Sequence, residues 1–176
     1  MTNRVLYVVA GAAPPVRDLV NLVRLLREDG WDTCVTLTPT AAAWLGAGLD
    51  DPTALAGRPV RTRERHPDDP RPFPAPDALL ACPLTFNSLN KWALGISDNV
   101  ALGTLNEALG AGIPVVAVPW FRGVLAAHPA STRSLDTLRA CGVDLVLDED
   151  GAPFDGDEAR DWATVISRLP TLDPGA

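Results

Sequence analysis

The chain has 176 residues, 47% of them hydrophobic, with 22 acidic against 15 basic side chains and a formal charge of -7. That length suits a single well-packed domain over residues 1–176, and the acidic balance speaks against a nucleic-acid backbone as the main partner. The cysteines Cys34, Cys82 and Cys141 lack metal-like spacing, and the first two fall inside apolar runs, which predicts buried thiols in a reducing cytoplasm.

In chain order, Arg4 to Ala10 reads as a strongly apolar first strand, followed at once by Gly11-Ala12-Ala13-Pro14-Pro15. The run is too short for a membrane span and flows into a polar helix, so no membrane segment or signal peptide is expected. Glycine at a strand-to-helix junction lets the backbone turn tightly or approach a ligand, which makes Gly11 a candidate phosphate cradle, although a GxGxxG fingerprint is absent. The next helix, Val16 to Asp29, places Leu19, Leu22, Val23 and Leu26 on one face and ends at Gly30. Trp31 to Leu37 is a second strand, and Thr38-Pro39-Thr40 opens a helix over Ala41 to Leu45. Proline is welcome in a first turn, so Thr38 is the expected cap, with the Thr40 hydroxyl near free amides. A cap needs no ligand, yet a phosphate at that helix start would use the same atoms.

Asp50 to Asp77 is rich in Pro, Arg and Asp, with Val60 as its strand-like centre and a short helix expected over Pro52 to Ala56. Arg61, Arg63, Arg65 and His66 form a basic run before a proline-rich loop that cannot be regular structure. An exposed loop histidine is either merely solvated or placed for acid/base work, to which its pKa near neutrality suits it.

Ala78 to Cys82 reads as a buried strand stopped by Pro83, with Thr85, Asn87 and Ser88 at its carboxyl end and Asp98-Asn99 between two helical stretches. These polar residues are either helix caps and a turn or a ligand site. Ile113 to Pro119 is a further strand, leading into an exposed-looking Trp120-Phe121-Arg122-Gly123 loop. A helix from His128-Pro129 to Ala140, a short strand Val143 to Leu147, an acidic loop and a terminal helix Asp157 to Leu169 complete the chain. The alternation predicts an α/β three-layer sandwich, Rossmann-like or flavodoxin-like, with a mostly parallel sheet of about five strands.

Pro83-Leu84-Thr85-Phe86-Asn87-Ser88, followed by Lys91-Trp92-Ala93-Leu94-Gly95-Ile96-Ser97-Asp98-Asn99, resembles the PASANT and K-x-A-x-G-I-A-D-N motifs of the flavin-containing cysteine decarboxylase family, homo-oligomeric FMN flavoproteins. That family includes phosphopantothenoylcysteine decarboxylase and the decarboxylases of peptide C-terminal cysteines. Gly11-Ala12 resembles its G-S-I-A-A segment, and Thr38-Pro39-Thr40-Ala41 its T-x-x-A element. His128-Pro129-Ala130 through Leu138 and Gly142 is similar to its h-P-A-x-x-x-N-L run. The resemblance implies FMN bound between subunits of a homotrimer, with trimers in some members forming dodecamers. It places Gly11, Ala12, Thr38, Thr40, Thr85 and Asn87 at the flavin or its phosphate, and Asp98 and Asn99 in a loop at the subunit boundary. His66 is its best counterpart of the catalytic histidine. The implied reaction is oxidation of a cysteine side chain by FMN, followed by loss of the carboxylate.

Two departures bear on the reaction. Arg122 occupies the position of the asparagine that grips the substrate carboxylate in the family's P-x-M-N-x-x-M-W segment; an arginine can bind a carboxylate through paired N–H groups. Asp148 to Asp157 has no cysteine where the coenzyme A pathway enzyme carries a substrate clamp. The expected substrate is therefore a cysteine-containing peptide or small thiol acid, in natural-product maturation. An FMN oxidoreductase without decarboxylation and a non-catalytic flavin-binding subunit remain the alternatives.

Overall fold

The computed structural model describes residues 4–46, 57–71, 73–157 and 161–171. Five strands form one sheet: β1 (Arg4–Ala10), β2 (Trp31–Leu37), β3 (Ala78–Leu84), β4 (Val115–Pro119) and β5 (Asp144–Leu145). Their order is β2-β1-β3-β4-β5 with every pairing parallel, which is the flavodoxin-like arrangement. The strands are apolar on both faces because helices cover both.

On one face, Leu6, Val8 and Ala10 pack with Leu80 and Val116 under α1 (Leu19–Glu28), α2 (Pro39–Leu45) and α7 (Trp162–Ile166). On the other, Val9, Leu79, Ala81 and Ala117 meet α3 (Phe86–Ala93), α4 (Val100–Gly110) and α6 (Pro129–Ala140). A single turn, α5 (Gly123–Ala126), follows β4. Leu19, Leu22, Val23 and Leu26 are buried on one stripe of α1, as their spacing predicts, and Gly30 ends the helix at φ 93, a conformation that side chains with a Cβ rarely adopt.

Toward its β2 edge the second face is covered by the 57–77 loop as well as by α4: Phe73 packs on Val5 and Cys34 and meets the Tyr7 ring edge-on at 5.5 Å. Arg61 extends the sheet by one bridge to Thr36, accepting the Leu37 N–H at 2.8 Å and donating its own to the Val35 carbonyl at 2.9 Å.

Several expectations shift. β3 runs through Pro83 to Leu84, because a register irregularity between Ala81 and Leu84 spares the proline from donating to the ladder. The first helix begins as a 3-10 turn over Pro14–Asp18. β4 begins at Val115 and β5 shrinks to two residues. The terminal helix covers Trp162–Ile166 only, and the helix expected at Pro52 to Ala56 lies outside the described residues. Cys34 and Cys82 are buried and Cys141 is exposed; burial pushes the Cys34 thiol up to about 11.

Candidate functional site

Chain direction through the sheet reverses between β1 and β3, so the loops leaving their carboxyl ends bound a crevice where ligands of open α/β sheets bind. Three loops are laced together there. The Gly11 N–H donates to the Pro83 carbonyl at 2.8 Å, the Thr38 N–H to the Ala10 carbonyl at 3.0 Å, and the Trp120 N–H to the Leu84 carbonyl at 2.8 Å. A Cβ on Gly11 would lie 3.0 Å from Thr85 Cγ2 and 3.1 Å from the Pro83 carbonyl. Glycine is needed for close approach, since a methyl there would force the two loops apart.

Helices start at this corner with hydroxyl caps. Thr38 Oγ1 accepts the Ala41 N–H at 3.2 Å, and Thr85 Oγ1 accepts the Ser88 N–H at 3.2 Å while donating to Ser88 Oγ at 3.1 Å. The capping reading of both threonines is thus correct, and it coexists with a site. The caps take the N–H groups of Ala41 and Ser88, and an α-helix leaves the earlier first-turn amides, that of Thr40 in α2 and those of Phe86 and Asn87 in α3, without intrahelical partners. Thr40 and Asn87, exposed on the first turns of α2 and α3, sit among those amides, and Ala12 is half-buried in the loop between. Hydroxyls, open amides and a close glycine loop are the donor set a phosphate monoester requires, so the residues present fit a flavin nucleotide.

The remaining sequence-predicted residues lie on three other loops. Asn99 caps α4 by accepting the Leu102 N–H at 3.1 Å, and its amide donates to Asp98 Oδ1 at 3.0 Å. Asp98 also pairs with Lys91, whose hydrogen bond holds the carboxyl below its ordinary range. Asn106 fastens the same turn, donating to the Ile96 carbonyl at 3.1 Å and Ser97 Oγ at 2.8 Å. The turn nevertheless leaves Leu94 75% exposed.

His66 is exposed, and its contacts are within its own turn: Nδ1 is 3.4 Å from Asp68 Oδ2, and the backbone N–H donates to Asp69 Oδ2 at 2.9 Å. Arg65 braces that turn, donating from Nη1 to the carbonyls of His66, Pro67 and Asp69 at 3.2, 3.0 and 2.8 Å. Arg122 stands exposed at the N-cap of α5; its carbonyl accepts the Leu125 N–H at 2.8 Å, and its side chain makes no hydrogen bond or ion pair among the described residues. No hydrogen bond, ion pair or ring contact among the described residues joins His66 or Arg122 to Gly11, Thr38 or Thr85.

Trp120 corrects the exposed-looking loop: it is 1% exposed, its ring 5.2 Å from that of Phe154 and its indole N–H donating to the Gly156 carbonyl at 2.9 Å. Asp155, which sequence reasoning passed over, accepts the Gly123 N–H at 2.7 Å and so fixes the residue after Arg122. His128 caps α6, Nδ1 accepting the Ala130 N–H at 3.1 Å, and meets Phe86 edge-on at 5.7 Å, beside Thr85 and Asn87. The sequence showed His128-Pro129 opening this helix; the imidazole's role as the cap and its contact with α3 come from the structure.

The family model described as Flavoprotein matches residues 1–167. Among solved structures, a PPC decarboxylase complexed with pantothenoylaminoethenethiol is 19% identical, covering 94% of this chain and 95% of its own, with a TM-score of 0.70. The FMN-dependent cysteine decarboxylase SpaF is 24% identical over 94% of each chain, TM-score 0.68. The FMN-dependent cysteine decarboxylase TvaF, from thioviridamide biosynthesis, is 26% identical over 81% of this chain and 89% of its own, TM-score 0.67. No protein with a curated description matches by sequence. No helix among the described residues is long and apolar enough to cross a membrane.

Proposed function

The chain belongs to the Flavoprotein family, and from that premise we propose that it binds FMN at the carboxyl ends of β1, β2 and β3 and decarboxylates a cysteine-like substrate oxidatively. The substrate class is the C-terminal cysteine of a peptide in natural-product maturation, or a small thiol acid, handled in the cytoplasm by a homotrimer or dodecamer. The observation that carries this reading is the closure of Gly11 on Thr85, which leaves hydroxyls and first-turn amides facing one crevice.

In this reading Gly11, Ala12, Thr38 and Thr40 hold the phosphate, and Thr85 and Asn87 the flavin side of the crevice, with Asp98 and Asn99 fixing the turn at the subunit boundary. The chemistry supplied by bound FMN is two-electron oxidation of the cysteine Cβ–S unit to a thioaldehyde, after which the carboxylate leaves as carbon dioxide and the electron pair is delocalised onto sulfur. Arg122 presents paired N–H groups to the substrate carboxylate, and its lack of an acid partner among the described residues leaves them available. His66 moves a proton at the substrate, reached from a neighbouring copy or by movement of its loop.

The test is an absorbance spectrum of the purified protein, expected to show oxidised flavin near about 370 and 450 nm, followed by mass analysis of peptide cysteines after incubation. A product lighter by carbon dioxide and two hydrogens supports the reading; colourless protein without affinity for FMN removes it. Arg122 favours a second reading, FMN-dependent oxidation without decarboxylation, because its charge binds the carboxylate more tightly than an amide would and retains it. A product lighter by two hydrogens alone would select that one.

A further inference from the structure

Away from the crevice, Arg61, Arg65 and Arg71 line one cavity of about 640 Å3 between α4 and the 57–77 loop. Its other walls include Tyr7, Thr104 and Glu107. Glu107 supplies the lining's one carboxylate, and Glu64, outside the lining, pairs with Arg61, so three guanidiniums meet two acids and the wall keeps a positive excess in a chain of net charge -7. A concave wall lined by one sign of charge concentrates its field and attracts the opposite sign.

The arginines are held differently, and each has donors to spare. Arg61 is pinned through its backbone to the sheet edge at Thr36, and laterally paired residues in a sheet direct their side chains to the same face, here the α4 face. Its Nε is buried without a hydrogen-bond partner, and its Nη2 reaches only the exposed Glu64, at 3.4 Å. A buried guanidinium N–H without an acceptor is costly, so the arrangement favours an incoming one. Arg71 makes no hydrogen bond or ion pair among the described residues, and its charge acts on Tyr7. Arg65 uses one nitrogen on the His66–Asp69 turn, leaving the rest of its fork. Planar forks in this number match carboxylate or phosphate oxygens in pairs, which point charges on lysine would not do.

We propose that this cavity is an oxyanion site, separate from the flavin crevice, for a small molecule bearing two or more carboxylate or phosphate groups. Three guanidiniums against the carboxylates of Glu107 and Glu64 leave a positive excess and several N–H donors open to an anion's oxygens. Because Arg65 also braces the turn of His66, occupancy steadies the loop that carries that residue. The site rests on the cavity alone and stands independently of the FMN reading.

Calorimetric titration of the full chain at low ionic strength tests it, with pyrophosphate in one arm and citrate in the other to separate phosphate from carboxylate chemistry. Binding of one anion per chain is expected in at least one arm, and the double variant R61Q/R71Q should weaken it roughly 10- to 100-fold, the range for lost hydrogen bonds to charged groups. R139Q, whose arginine pairs with Asp136 on α6, should bind as wild type. FMN affinity, read by flavin fluorescence, should be unchanged in R61Q/R71Q, and exchange of the Asp69 amide should slow when the anion is bound. If the double variant does not fold, R71Q alone, at an exposed position, carries the test. Failure of both anions to bind, or wild-type binding by the variants, overturns the proposal. So does loss of FMN together with the anion, since the arginines would then belong to the flavin site.

Discussion

The crevice at the ends of β1 and β3 and the 57–77 loop both border the same sheet but are built by opposite means. At the crevice, Gly11, Ala10 and Leu84 exchange backbone hydrogen bonds with Pro83, Thr38 and Trp120, and side-chain caps fix both helix starts. The loop is tied to the sheet by the Arg61 bridge and the Phe73 anchor, and its His66 turn is held mainly by its own residues. The difference separates binding from chemistry. On the proposed reading, this chain's share of the cofactor site is a rigidly laced corner, whereas the groups assigned to the substrate sit on exposed segments able to meet it.

The sharpest test of that division is His66→Ala. With an exposed side chain it should leave the urea midpoint nearly unchanged, within about 0.5 kcal/mol, while turnover of a cysteine substrate falls roughly 100- to 10,000-fold, the usual contribution of a positioned acid or base. A parallel loss of stability and activity would mean the loop is structural. Gly11→Val should reverse the pattern. Its side chain has no room beside Thr85 and Pro83, so overpacking should cost about 1–3 kcal/mol, and the protein should emerge from purification without flavin colour. Thr85→Ala removes one cap for about 1 kcal/mol, whereas Thr85→Ser should recover most of that midpoint. Equal losses in both would point to the methyl group instead.

The smallest effect concerns Asp98. Its carboxyl is held below the ordinary range by Lys91, so the pair's stabilisation is present above the unfolded carboxylate pKa and is lost as pH falls through the lower folded value. Asp98→Asn should therefore lower the denaturation midpoint slightly near neutrality and converge with wild type in acid. A constant difference across that range would assign the effect to the turn's hydrogen bonds rather than to charge.

Those contrasts follow how visible each part was beforehand. β1 and β2 were legible to the residue, because Arg4–Ala10 and Trp31–Leu37 are rich in apolar and β-branched residues and bounded by Gly11, Gly30 and Thr38. Thr38 and Thr85 were legible as caps, since a short polar side chain ahead of a helical period has few other uses, whereas Asn99 read as part of a turn and is shown to be a cap only by its bond to the Leu102 N–H. Pro83 misled because its missing donor usually ends a central strand; a local register shift, which depends on the partner strands, accommodates it. Trp120 misled because Phe154 and Gly156, which bury it, lie more than thirty residues on. The arginine cavity was visible only as a basic run: the run places Arg61, Arg63 and Arg65 in one segment, but only folding brings Arg61, Arg65 and Arg71 to one wall.

The Arg61 bridge has a consequence beyond the cavity it frames. β2 is the outermost strand on its side, and an unpaired strand margin is a template on which a second chain can add itself. By occupying the Val35 carbonyl and the Leu37 N–H, the main chain of Arg61 closes the carboxyl-terminal end of that margin with a stub too short to propagate, and the prolines that follow deprive it of further donors. The segment that presents the arginines thereby also guards the sheet against uncontrolled edge-to-edge growth.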